Sequence, residues 1–95
     1  MANFEIDGSN TCWKELITLG LDENNEYWND VIEHTLTEKG MCKRFDSGYG
    51  IEQGEPFTLW TKDWVYFPIC YDGAEWVGSI PRNPCDIKTN HQGGG

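Results

Sequence analysis

Trp64-Val65-Tyr66-Phe67-Pro68-Ile69-Cys70-Tyr71-Asp72-Gly73-Ala74-Glu75-Trp76-Val77-Gly78-Ser79-Ile80 is the stretch that decides the fold. Asp72-Gly73 between two apolar runs is a strong hairpin signal, because both residues tolerate the positive φ of a type I′ turn. A two-residue loop fixes the register. Tyr71 falls opposite Ala74, Ile69 opposite Trp76, Phe67 opposite Gly78 and Val65 opposite Ile80. Strand side chains alternate, so all of these share one side of the sheet. That side is almost wholly apolar and is expected to face the core, with Phe67 covering Gly78. The other side carries Trp64, Tyr66, Pro68 and Cys70 opposite Glu75, Val77 and Ser79. Left open, it is an aromatic patch of the kind that marks a contact site. The competing reading folds the Gly-rich loop or the tail over it. Pro68 has no N–H to give a ladder, which points to an edge or a bulge.

Outward from the hairpin, Phe57 to Trp60 and Met41 to Phe45 read as further strands. Between them, residues 46–55 form a Gly-rich connection too long for a tight turn. Pro81-Arg82-Asn83-Pro84 ends the sheet. Toward the N-terminus, Phe4-Glu5-Ile6-Asp7 alternates as a short edge strand. Gly8 to Thr11 then offers capping oxygens for a helix from Cys12 to Leu19, with Trp13, Leu16, Ile17 and Gly20 on one face and Gly20 as its stop. A second helix is expected from Asn25 to Lys39, ended by Gly40, with Trp28, Val31, Ile32, Thr35 and Leu36 as its buried stripe. The expected architecture is α+β: two N-terminal helices packed on a three- to four-stranded antiparallel sheet. Residues 1–85 form a single domain and 86–95 a flexible polar, Gly-ended tail.

The chain has 95 residues, of which only 38 % are hydrophobic, but it includes five Trp, four Tyr and four Phe, which bury large areas each. Sixteen acids against seven bases give a net charge of −9. That field repels nucleic acid and anionic lipid, which excludes both as direct partners, and attracts basic surfaces. Bare solubility accounts for an acidic excess equally well. No apolar run reaches the roughly 18 residues of a membrane span, and the acidic start, Met1 to Asp7, lacks the pattern of a signal peptide. The chain is therefore expected in the cytoplasm. Cys12, Cys42, Cys70 and Cys85 form no Cys-x-x-Cys pair. They allow two disulfides in three pairings, but reduced thiols fit the absence of a secretion signal.

The charge is unevenly placed. Between Glu15 and Glu38 there is no Lys or Arg, while Asp22, Glu23, Glu26, Asp30 and Glu33 fall there. On the expected second helix, Glu26, Asp30 and Glu33 share a face, a spacing that costs a few tenths of a kcal/mol per like-charge pair. From Phe45 to Pro81 the only base is Lys62. The alternative is a solvated helix face. Together with the aromatic hairpin, the pattern reads as a polyanion-like surface that docks on a basic one. Its candidate contacts are Glu26, Asp30 and Glu33 with Trp64, Tyr66, Asp72 and Glu75.

The chemistry of an enzyme is not legible. Gly48-Tyr49-Gly50 lacks the Lys-Ser/Thr of a phosphate loop. His34 reads as a boundary residue and His91 lies in the tail, and nothing orients a pair of either with Cys42 or Cys70. The cysteines lack zinc spacing, so neither a metal nor a cofactor is expected.

In size, charge and aromatic content the chain resembles the small acidic inhibitors that bacteriophages make against host defence complexes, and the immunity proteins that neutralise bacterial toxins. No aligned residues carry that likeness. It implies an anti-CRISPR-type inhibitor that occupies the nucleic-acid site of a basic protein, or alternatively a toxin-immunity protein. Readings of a different class are a sugar- or ring-binding module stacking on Trp60, Trp64 and Trp76, a secreted disulfide domain, and a small enzyme.

Overall fold

The structure, a computed structural model, describes residues 10–46, 54–71 and 74–92. The strand expected at Phe4–Asp7, the middle of the Gly-rich connection, and Asp72 with Gly73 lie outside the described residues. In chain order the elements are β1 (Asn10–Thr11), α1 (Trp13–Glu23), a 3-10 turn (Trp28–Asp30), β2 (Val31–His34), α2 (Glu38–Cys42), β3 (Phe45–Asp46), β4 (Leu59–Thr61), β5 (Trp64–Tyr71) and β6 (Ala74–Pro81). Antiparallel pairing gives a four-stranded sheet in the order β2-β4-β5-β6, and β1 pairs with β3 separately. The described residues thus form an α+β mixture of two helices, a four-stranded antiparallel sheet and a separate two-stranded pair.

The hairpin register is the one the sequence dictates. Tyr71 pairs with Ala74, Ile69 with Trp76, Phe67 with Gly78 and Val65 with Ile80. Its orientation is the reverse of expectation. Tyr66 and Val77 belong to the core with Leu59 of β4, whereas Tyr71, Trp76 and Ile80 are exposed. The side of mixed composition faces the helices, and the more apolar side faces outward.

Local packing on α1 explains the inversion. Gly20 is no stop: it lies inside α1, where a Cβ would come 3.2 Å from Val77 Cγ1 and 3.5 Å from Tyr66 Cδ1. The missing side chain lets the helix settle close on Tyr66 and Val77. Trp13 anchors the same helix, with ring centroids 5.0 Å from Phe45 and 4.8 Å from Phe57, and its indole N–H donates to the Glu55 carbonyl at 3.0 Å. Ile17, Leu21 and Met41 complete this core on the Tyr66 side of the sheet.

The long second helix does not form. α1 runs past Leu19 and ends where Asn25 takes a left-handed backbone, φ 59°. The Glu26 N–H bonds the Leu21 carbonyl at 2.9 Å and the Asn25 N–H bonds the Asp22 carbonyl at 3.0 Å. This is a Schellman closure with Asn in the place usually given to Gly. Beyond it, Tyr27, Trp28, Val31, Ile32 and Thr35 are β-branched or aromatic, and they stiffen the chain against helix and suit a strand. The expected stripe is therefore split between the 3-10 turn and β2. Gly40 is likewise no helix cap. It sits within α2, whose N-cap Thr37 accepts from the Gly40 N–H at 2.9 Å. For the same reason Met41 and Cys42 are helical rather than extended, and only Phe45 and Asp46 form a strand there.

Replacing Asn25 by Gly is expected to leave urea stability unchanged or slightly raised. Asn25→Val, forced into the left-handed region, should lower it by about 1–2 kcal/mol. Equal effects of the two substitutions would remove the helix stop from this account.

Candidate partner-binding surface

The outward side of the sheet carries Val65, Phe67, Ile69 and Tyr71 from β5, Trp76, Gly78 and Ile80 from β6, and Trp60 of β4 opposite Val65. Both helices contribute their core residues to the other side, so no described helix or strand lies over this one. Its middle is flat. At Gly78 a Cβ would collide with Ile69 and come 3.1 Å from Phe67, so both side chains lie across the glycine. Ile69 is buried, while Tyr71 is 48 % exposed, Ile80 40 % and Trp76 37 %. At one end Ile80 joins Pro84, Ile87 and Thr89 of the C-terminal segment in lining a shallow groove. At the other edge the exposed Glu33 of β2 stands opposite Trp60.

The expected contact residues divide. Tyr66 is fully buried and Glu75 is 7 % exposed, so neither presents a surface. Trp64 packs against the core. The patch expected on that side is therefore the interior, because α1 covers it. Asp72 lies outside the described residues. Glu26, Asp30 and Glu33 share no helix face, since no helix spans them. Glu26 is tied to Tyr66, Asp30 accepts from the Tyr27 N–H at 2.8 Å and closes the 3-10 turn, and Glu33 is exposed. Trp60 and Trp76 lie on the outward side and Trp64 on the inward one, so the three do not converge on one ring-binding pocket.

Tyr66 is the polar centre of the core. Its hydroxyl donates to Glu26 Oε1 at 2.5 Å and accepts from Asn24 Nδ2 at 3.0 Å, and Asn24 also donates to Ser79 Oγ at 3.0 Å. Burial, and then the hydrogen bond to the Glu26 carboxylate, hold the phenol well above its ordinary range. A second clasp joins the hairpin to the loop before β4, where Glu75 Oε1 accepts from the Gly54 N–H at 3.0 Å. These contacts assign Glu26 and Glu75 to holding the fold, a role that charge counting alone does not reveal.

Among the described residues the exposed acids include Asp22, Glu23 and Glu33. Asp22 and Glu23 occupy the last turn of α1, which contains no base. Negative charge is unfavourable at that carbonyl end by about 0.3–1 kcal/mol per group. Elsewhere, the Arg44 hydrogen bond and then that of Thr11 draw the exposed Glu15 carboxyl below its usual range. The thiols of Cys12, Cys42, Cys70 and Cys85 are all free, and His34 Nδ1 lies 2.6 Å from the Leu36 carbonyl. Among the described residues no group of acids, His and Cys is arranged to hold a metal, and no helix is long and apolar enough to cross a membrane. Comparison with protein-family models, curated proteins and solved structures gives no match.

Tyr66→Phe should lower stability at neutral pH by about 1–2 kcal/mol, the value of a hydrogen bond to a partly exposed charged group. A raised folded pKa stabilises below the unfolded value of about 10 and is lost as pH rises above it. The gap between parent and variant in urea titrations should therefore narrow toward alkaline pH. A gap that is constant or grows would contradict the network.

Proposed function

We propose that this chain is a binding protein that docks on a basic surface of a nucleic-acid-handling protein and obstructs it, in the manner of a phage anti-defence inhibitor. The observation that carries the reading is the inverted hairpin. Burial of apolar surface drives folding, yet the more apolar side of this sheet faces outward. An exposed apolar face of this kind is a liability alone and an asset in a complex. Trp76 and Tyr71, amphipathic and rigid, are the residue types that anchor interfaces.

The acids support the same reading. Asp22 and Glu23 stand at a helix end where they weaken the fold, and a protein needing charge only for solubility has better places for it. Glu33 adds charge beside Trp60. A net −9 steers the molecule toward a positive partner, while the apolar face supplies the short-range hold. The free thiols accord with action in a reducing cytoplasm. A toxin-immunity protein uses the same physics and differs only in its target.

Reversing Asp22, Glu23 and Glu33 to Lys tests this directly. The substitutions at the end of α1 should raise stability by about 0.3–1 kcal/mol each. Capture of a nucleic-acid-binding protein from bacterial lysate by the parent should weaken with salt and with added DNA, and the reversed variant should lose it. A folded variant that captures the same proteins at the same salt would refute the proposal.

A further inference from the structure

The sheet ends in two edges that are treated differently. β2, at one edge, has Val31–His34 only, a register irregularity between Val31 and Glu33, and an exposed acid. Shortness, a bulge and a charge are the devices by which proteins prevent strand-to-strand association. β6, at the other edge, has neither the shortness nor the bulge, and it carries no exposed charge. It runs eight residues, pairs with β5 without a register shift, and its only charged residue is the buried Glu75.

The parity of β6 shows which groups are available. Two residues link Tyr71 to Ala74, so that closing pair exchanges backbone bonds, as do the pairs at Trp76, Gly78 and Ile80. The N–H and C=O of Val77 and Ser79 then point away from β5. Pro81 falls on the same parity, where a missing N–H loses no bond across the hairpin. Pro68, opposite Val77, follows the same rule. Its nitrogen faces the side of β4, which begins at Leu59 opposite Tyr66 and does not reach it. Among the described residues no backbone hydrogen bond reaches Val77 or Ser79 from the free side.

Building on the proposed function, the geometry points to strand addition along β6 as the way the partner is held. The occupant is an extended segment of the basic partner, alternating apolar and basic residues. Its backbone continues the ladder at Val77 and Ser79. Its apolar residues extend the outward face beside Trp76 and Ile80, and its bases turn toward the end of α1. That end is tied to β6 through Asn24 and Ser79, so Asp22 and Glu23 stand within one helical turn of the edge. Charge argues against a second copy of this chain as the occupant, since pairing would bring two bodies of −9 together. Main-chain bonds supply affinity in this mode, and alternate side chains supply specificity.

The test uses the full chain and a synthetic eight-residue peptide of alternating Val and Lys, with its fully N-methylated analogue as control. The analogue keeps charge and apolar surface but cannot join a ladder. The expected result is that the Val/Lys peptide slows amide exchange at Val77 and Ser79 at least tenfold by NMR. The N-methylated peptide, and the Val/Lys peptide offered to the Asp22→Lys, Glu23→Lys variant, should bind at least tenfold more weakly. Equal binding of both peptides with unchanged exchange would overturn strand addition while leaving the basic-partner reading intact. Failure of both peptides, in a protein that still captures its basic partner in a salt-sensitive way, would also overturn it. Slowed exchange that rises with protein concentration in the absence of peptide would overturn it in favour of self-association. Salt-insensitive capture by parent and variant alike would instead defeat the underlying reading.

Discussion

The Tyr66 side chain, its ring packed against Gly20 of α1 and its hydroxyl donating to Glu26 and accepting from Asn24, joins the inward side of the hairpin to the helix, and the rest of the molecule is arranged around that contact. Asn24 is the last residue of the α1 cap, so the bond joins the end of the helix to the centre of the sheet. Gly20, a turn earlier, gives the ring space to lie against the helix backbone. A buried phenol needs partners for its polar end. Here they come from the residues on either side of Asn25, the position that stops the helix. The helix stop, the ring pocket and the buried network are therefore one device.

Once Tyr66 is inside, strand alternation places Phe67, Ile69, Trp76 and Ile80 outside. The fold loses the burial of some of its most apolar side chains and gains a hydrogen-bonded polar centre. Ile69 and Phe67 recover part of that loss by lying over Gly78. Tyr71, Trp76 and Ile80 do not. The outward face is best understood as interior surface awaiting a partner, and the acids at the end of α1 as its electrostatic guide.

The hairpin was legible in sequence because its signal is local: Asp72-Gly73 and two alternating runs set the register without reference to anything else. The orientation was not. Apolar count favours the Phe67 side, and what opposes it is the spatial meeting of Gly20, Asn24 and Glu26 with Tyr66, far apart in the chain. The stretch from Asn25 to Lys39 misleads for a related reason. Its apolar spacing fits a helix, but its β-branched and aromatic residues, and the left-handed Asn25, favour a turn and a strand. Gly20 and Gly40 read as stops because glycine commonly ends helices. One instead allows close packing and the other follows a Thr37 cap. Of the contact residues read from sequence, Glu33 keeps an outward place, whereas Glu26, Tyr66 and Glu75 belong to the fold. Nothing in their spacing marks that difference.

Hydroxyl-radical footprinting of the folded protein, read residue by residue by mass spectrometry, tests the orientation most directly. Trp76, Tyr71 and Ile80 should be oxidised rapidly, while Trp13 and Tyr66 stay protected until the protein unfolds. Rapid oxidation of Tyr66 with protection of Trp76 and Tyr71 would mean that the hairpin faces the other way, and the account built on its outward apolar side would be wrong.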